Sequence, residues 1–114
     1  MKHVSPERFE ELVADALDEI PEELGRLMDN VWVTVEDVPE EPGLLGLYSG
    51  IPLTERDGGY AMVMPDRITL YRLPICAMSR TEDDVVDVVR DTVIHEVAHH
   101  FGIDDERLDE LGWA

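Results

Sequence analysis

A chain of 114 residues with 44% hydrophobic side chains can fill one packed core and leaves little room for two domains. Its 27 acidic and 9 basic side chains leave a net charge of −18, which repels phosphate backbones and anionic membrane surfaces and so disfavours nucleic acid and lipid as partners. The bland consequence of that charge is solubility; the sharper one is attraction of basic peptides, and composition does not separate the two.

The opening stretch MKHVSPERFEELVADALDEI is acidic and amphipathic, not basic and then apolar, so no secretory leader is expected. No apolar run approaches the ~20 residues needed to cross a bilayer. The one cysteine, Cys76, cannot form an internal disulfide, and it sits in the apolar run LPICAM, where a buried structural thiol is expected. Together these features suit a reducing, cytoplasmic setting.

Ser5-Pro6-Glu7 reads as a helix start, with Ser5 as N-cap and Pro6 at the first helical position. Phe9, Leu12, Val13, Ala16, Leu17 and Ile20 follow at helical spacing. Pro21 ends that helix and opens a short second one through Leu24, Leu27 and Met28. VWVTVEDV is β-branched and alternating, hence a strand. A Pro- and Gly-rich stretch follows, with a short strand expected at about Leu44–Tyr48 and a loop around Asp57-Gly58-Gly59. DRITLYRLPI alternates over Ile68, Leu70 and Leu73, with Thr69, Tyr71 and Arg72 outside that register. Pro74 interrupts it, so this strand is expected at a sheet edge or to end there.

The valines of the next segment favour a strand by propensity, but their spacing predicts a helix. Val85, Val89, Val93, Val97 and Phe101 recur every fourth residue, whereas strand alternation fails at Asp87 and Asp91. Thr81 is the expected cap, with Glu82, Asp83 and Asp84 in the first turn, where the helix dipole favours acids. Gly102 is the expected stop. Such a helix must be largely buried. Asp104 then caps a last short helix carrying Leu108 and Leu111.

That long helix carries His95-Glu96-x-x-His99. Residues four apart on an α-helix differ by about 40° around the axis, so both imidazoles project from one face and can hold one metal ion. Glu96 lies beside that face, within reach of water bound there, and can act as general base. A catalytic zinc site takes three protein ligands. Gly102 lets the chain turn back, and Asp105, ten residues after His95, offers a carboxylate in the position where metzincins carry a histidine. Asp104 is the alternative third ligand, with Asp105 then merely an acid in the first turn of the last helix. His100, about 140° from His95, belongs to neither role and reads as a partly exposed residue or a supporting donor.

With these residues in place the sequence resembles the small bacterial zincin-like metallopeptidases. The resemblance runs through LLGLYSGIPLTER from Leu44, PDRITLYRLPI from Pro65 and HEVAHHFGIDDERL from His95, and so covers most of the chain. It implies a minimal α+β zincin-like fold over residues 1–114, in which a small mixed sheet packs on the motif helix, with further N- and C-terminal helices. It also implies His95, His99 and Asp105 as ligands to one zinc ion and Glu96 as the base. The expected function is a zinc metallopeptidase acting on peptide or protein substrates; the alternative is a zinc-binding structural or interaction module without hydrolytic activity. Unlike metzincins, the chain has neither Met nor Tyr among the nine residues after Asp105. An oxyanion-stabilising group must then come from upstream, with Tyr48, Tyr60, Tyr71, Arg56 and Arg72 as candidates. Tyr71 and Arg72 lead, on the expectation that their strand is the edge along which an extended peptide binds.

Overall fold

The computed structural model describes residues 1–50 and 66–113; the expected loop at Asp57-Gly58-Gly59, together with Arg56 and Tyr60, lies outside them. The first helix, α1 (Pro6–Asp18), starts as its sequence requires: Ser5 Oγ accepts a hydrogen bond from the Arg8 amide at 3.1 Å, and Pro6 occupies the first turn. Its buried stripe is Phe9, Leu12, Val13 and Ala16. It stops short of Ile20, because the residue before Pro21 is driven out of helical conformation. The single-turn-plus helix α2 (Glu22–Leu27) anchors through Leu24.

Strands β1 (Val31–Glu36), β2 (Gly46–Ser49) and β3 (Asp66–Tyr71) form a mixed sheet in the order β1-β3-β2. β1 runs parallel to β3 with Val33 opposite Ile68, and β2 runs antiparallel to it with Gly46 opposite Leu70. The strand expected from Leu44 therefore begins at Gly46.

Of the two expectations for β3, an edge position or an end near Pro74, the second holds: the strand is central and ends at Tyr71. Pro74 does not interrupt β3. It falls at the third position of a short helix, α3 (Arg72–Ala77), where a missing N–H removes no intrahelical bond. The strand has ended before the proline, so its ladder is intact on both sides. Flanking strands also explain why the supposedly outward Thr69 and Tyr71 are buried. Thr69 meets Thr34 across the sheet at 3.3 Å between hydroxyls, and Leu73, expected in the core register, is exposed on α3.

The long helix α4 (Glu82–His100) begins in a reciprocal capping box. The Asp84 amide donates to Thr81 Oγ1 at 3.0 Å, and the Thr81 amide donates to Asp84 Oδ2 at 3.3 Å. Val85, Val89, Val93 and Val97 are fully buried. Burial of that stripe, each side chain contributing roughly 1.5–3 kcal/mol, outweighs the few tenths that valine costs in a helix. The stripe ends one member, four residues, earlier than its spacing suggests: Phe101 is the cap and is 39% exposed. α4 packs on α1 and on β2. Contact with β2 is tight at Gly46, where an added Cβ would lie 2.7 Å from Thr92 Cγ2 and 3.2 Å from the Thr69 carbonyl oxygen.

Gly102 then reverses the chain. Its φ of 78° is left-handed, its amide donates to the His99 carbonyl at 3.1 Å, and the Ile103 amide donates to the Ala98 carbonyl at 2.8 Å. This pair of bonds is the Schellman closure that a glycine permits at little cost. The final helix, α5 (Asp105–Leu111), is capped by Asp104, whose Oδ1 accepts from the Arg107 amide at 2.8 Å, and is pinned to the core by the fully buried Leu108. No helix among the described residues is long and apolar enough to cross a membrane.

Candidate metal centre

The last turn of α4 and the first turn of α5 face each other across the Gly102 reversal. His95 and His99 project side by side, with ring centroids 5.9 Å apart. Asp105 Oδ1 lies 3.1 Å from His99 Nε2 and 3.8 Å from His95 Nε2. All three side chains are substantially exposed. The Asp104 carboxylate is engaged elsewhere, as the α5 cap. Among the described residues no group of three or more His, Cys, Asp or Glu donors is disposed around one common cation point; Asp105 is hydrogen-bonded to His99 instead.

His95 carries an additional constraint that the spacing did not reveal. Its Nδ1 lies 2.9 Å from the carbonyl oxygen of Asp91. A carbonyl only accepts, so Nδ1 carries a hydrogen, and Nε2, turned toward Asp105, is the ring nitrogen left to bind a metal. The signal was present in the sequence as the i−4 relation on one helix, but ring orientation is not legible from spacing.

Beside the two histidines a groove of about 390 Å³ opens between α4 and the segment leading into β2. Leu44, Leu45, Met78 and Val88 supply its apolar wall, and His95 and Glu96 stand at its polar end. Glu96 has no hydrogen-bond partner among the described residues and is only partly buried, so its carboxylate is available to a molecule in the groove.

The leading oxyanion candidates are absent from this place. Tyr71 is buried at the end of the central strand. Burial, and then the charges of Glu36 and Glu40, push its hydroxyl pKa up. Arg72 belongs to α3, where it donates to Asp37 Oδ1 at 3.0 Å and to the Val4 carbonyl at 2.7 Å. Among the described residues, the sheet edge beside the groove is the short β2.

His100 points away from the pair, as its angular offset requires. Its ring stacks on Tyr48 at a centroid distance of 3.9 Å and an angle of 19°, and its Nε2 lies 3.7 Å from Asp66 Oδ2. The Tyr48 hydroxyl donates to that same oxygen at 2.7 Å. This cluster ties the C-terminal turn of α4 to β2 and β3, fixing the height of the His95–His99 turn against the sheet. Sequence reasoning missed Asp66 and the structural use of Tyr48; nothing in the local pattern marks them.

A helix bearing His-Glu-x-x-His, closed by a glycine reversal and set on a small mixed sheet, defines the zincin class, and comparison with known families agrees. The family model for zincin-like metallopeptidases matches residues 28–113, and the chain belongs to that family, whose members in general use zinc. Among solved structures it resembles a conserved hypothetical protein from Thermo thermophilus, with 29% identity over 95% of this chain and 97% of that one and a TM-score of 0.54. No curated protein matches the chain.

Proposed function

We propose that this chain is a zinc-dependent peptidase in which His95, His99 and Asp105 hold one zinc ion and Glu96 is the general base. The observation that carries the reading is the convergence of two imidazole Nε2 atoms on a single carboxylate oxygen, at 3.1 and 3.8 Å, beside a groove that Glu96 lines. Two donors on one tetrahedral zinc, each at about 2.0–2.1 Å, stand about 3.3 Å apart. The separations from Asp105 Oδ1 fall on either side of that value, which supports this donor set once the side chains shift to share one ion. The Nδ1 bond to the Asp91 carbonyl suits it too, because it orients the ring and leaves Nε2 as the nitrogen to bind the ion. Asp104, spent on its capping bond, is the poorer candidate.

Zinc held there supplies a Lewis acid and lowers the pKa of water towards about 7. The protein's own contributions follow from the geometry. An extended peptide in the groove lays an apolar side chain against Leu44, Leu45, Met78 and Val88 and brings its carbonyl towards His95 and Glu96. Glu96 takes the proton from the attacking water and returns it to the leaving amine. His95 and His99 are held at fixed height by the stacking of the next residue, His100, on Tyr48.

The test is elemental analysis together with cleavage of a diverse peptide library by the wild type and Glu96→Gln. The expected result is about one zinc per chain in both. Cleavage should be present in the wild type and reduced about 10²–10⁴-fold in the variant. Zinc without cleavage of any peptide would replace the reading with that of a structural zinc module. A zinc-loaded sample that retains no metal would overturn both.

A further inference from the structure

The other side of the sheet carries a second groove, of about 420 Å³, distinct from the one beside the histidines. Glu36, Glu40 and Glu41 line it, together with Leu47 and Tyr71. The three carboxylates form no ion pair among the described residues, although Arg72 and Asp37 nearby are paired with each other. Tyr71 is only 5% exposed, and its hydroxyl has no hydrogen-bond partner among the described residues. Every fully buried side-chain polar atom there has a partner. The Tyr71 ring is therefore buried while its hydroxyl opens into the groove, waiting for a donor. Leu47, 42% exposed, adds an apolar rim.

We propose that this groove is a docking site for a lysine or arginine side chain of an extended peptide. The aliphatic stem of such a side chain covers Leu47 while its charged head reaches the carboxylates and donates to the Tyr71 hydroxyl. Charge complementarity selects this occupant: three unpaired acids meet one unpaired acceptor, and among the described residues no basic side chain lines the groove. Leu44 belongs to the walls of both grooves, so a peptide engaged here lies next to the groove of the histidines. The proposal goes beyond the peptidase reading and does not depend on it, since it concerns binding alone.

The experiment is calorimetric titration, at low and moderate salt, of a blocked hexapeptide of alternating leucine and lysine into the full chain carrying Glu96→Gln, which keeps the probe intact. Replacing Glu36, Glu40 and Glu41 by Gln should weaken binding at least tenfold, and Tyr71→Phe at least threefold. A control that removes the same charge at the exposed Glu10, Glu19 and Glu23 should weaken it less than threefold. Amide shifts on titration, which need no further substitution, should centre on Glu36, Leu47, Thr69 and Tyr71. Equal weakening by the two triple variants would reduce the effect to the general field and overturn the proposal. So would tight binding of a peptide with glutamine in place of lysine, shifts centred elsewhere, or saturable calcium binding at the three glutamates without peptide binding.

Discussion

Asp105 accepts a hydrogen bond from His99 across the Gly102 reversal, at 3.1 Å, although the two side chains belong to different helices. The neighbouring Asp104 makes a bond of nearly the same length to a backbone amide instead. Adjacent carboxylates thus have separate tasks. Asp105→Ala should lower zinc affinity by more than the roughly 10–100-fold typical of losing a supporting neighbour. Asp104→Ala should cost about 0.5–2 kcal/mol of stability through the lost cap and leave zinc affinity nearly unchanged. Competition with a chelator and denaturant unfolding measure the two effects; equal losses of affinity would mean that the wrong carboxylate has been assigned.

Gly46 is where β2 meets α4. Gly46→Ala should destabilise the fold by about 1–3 kcal/mol, the usual cost of overpacking. Thr92→Ser, which removes the methyl 2.7 Å from the new Cβ, should recover part of the loss, though not the contact with the Thr69 carbonyl. Urea unfolding of the double-mutant cycle reads the coupling.

Gly102→Ala forces an alanine to a φ of 78° and should cost about 1–2 kcal/mol. Because the reversal also carries Asp105 back to His99, zinc affinity should fall with stability, unlike in Asp104→Ala. Unchanged zinc affinity in a folded Gly102→Ala chain would separate the turn from the centre.

The Arg8 side chain grips Glu82 with two bonds, Nε at 3.0 Å and Nη2 at 2.9 Å, linking α1 to the start of α4. That hydrogen bonding pulls the Glu82 carboxyl below its ordinary value of 4.5. A carboxyl whose folded pKa is depressed stabilises the fold above its unfolded pKa, and the contribution disappears as pH falls through the folded value. The melting temperature of wild type should exceed that of Glu82→Gln modestly at pH 6, and the gap should close below about pH 4.5. A gap that widens on acidification would contradict the assignment.

The helical elements were legible because their signals are local. Ser5-Pro6, the Thr81–Asp84 box, the four-residue valine repeat and Gly102 each act within a few residues, and each appears in the structure where expected. The order of the strands was not legible, because pairing is a long-range choice. Pro74 suggested an edge, yet β3 runs between two partners and the proline sits in the helix after it. The same limit applies to the centre. His95, Glu96, His99 and Asp105 stand out by spacing, whereas Tyr48 and Asp66 reach His100 through the sheet, Arg72 is drawn off to Asp37 and Tyr71 is buried away from the histidines.

The Gly102 reversal has a kinetic consequence. His99 and Asp105 are six residues apart, and all three proposed donors fall within eleven consecutive positions. Closing so short a loop costs little chain entropy, and it takes tens of nanoseconds where strand pairing takes microseconds or longer. An ion captured at that stage would staple α4 to α5 independently of the sheet beneath them.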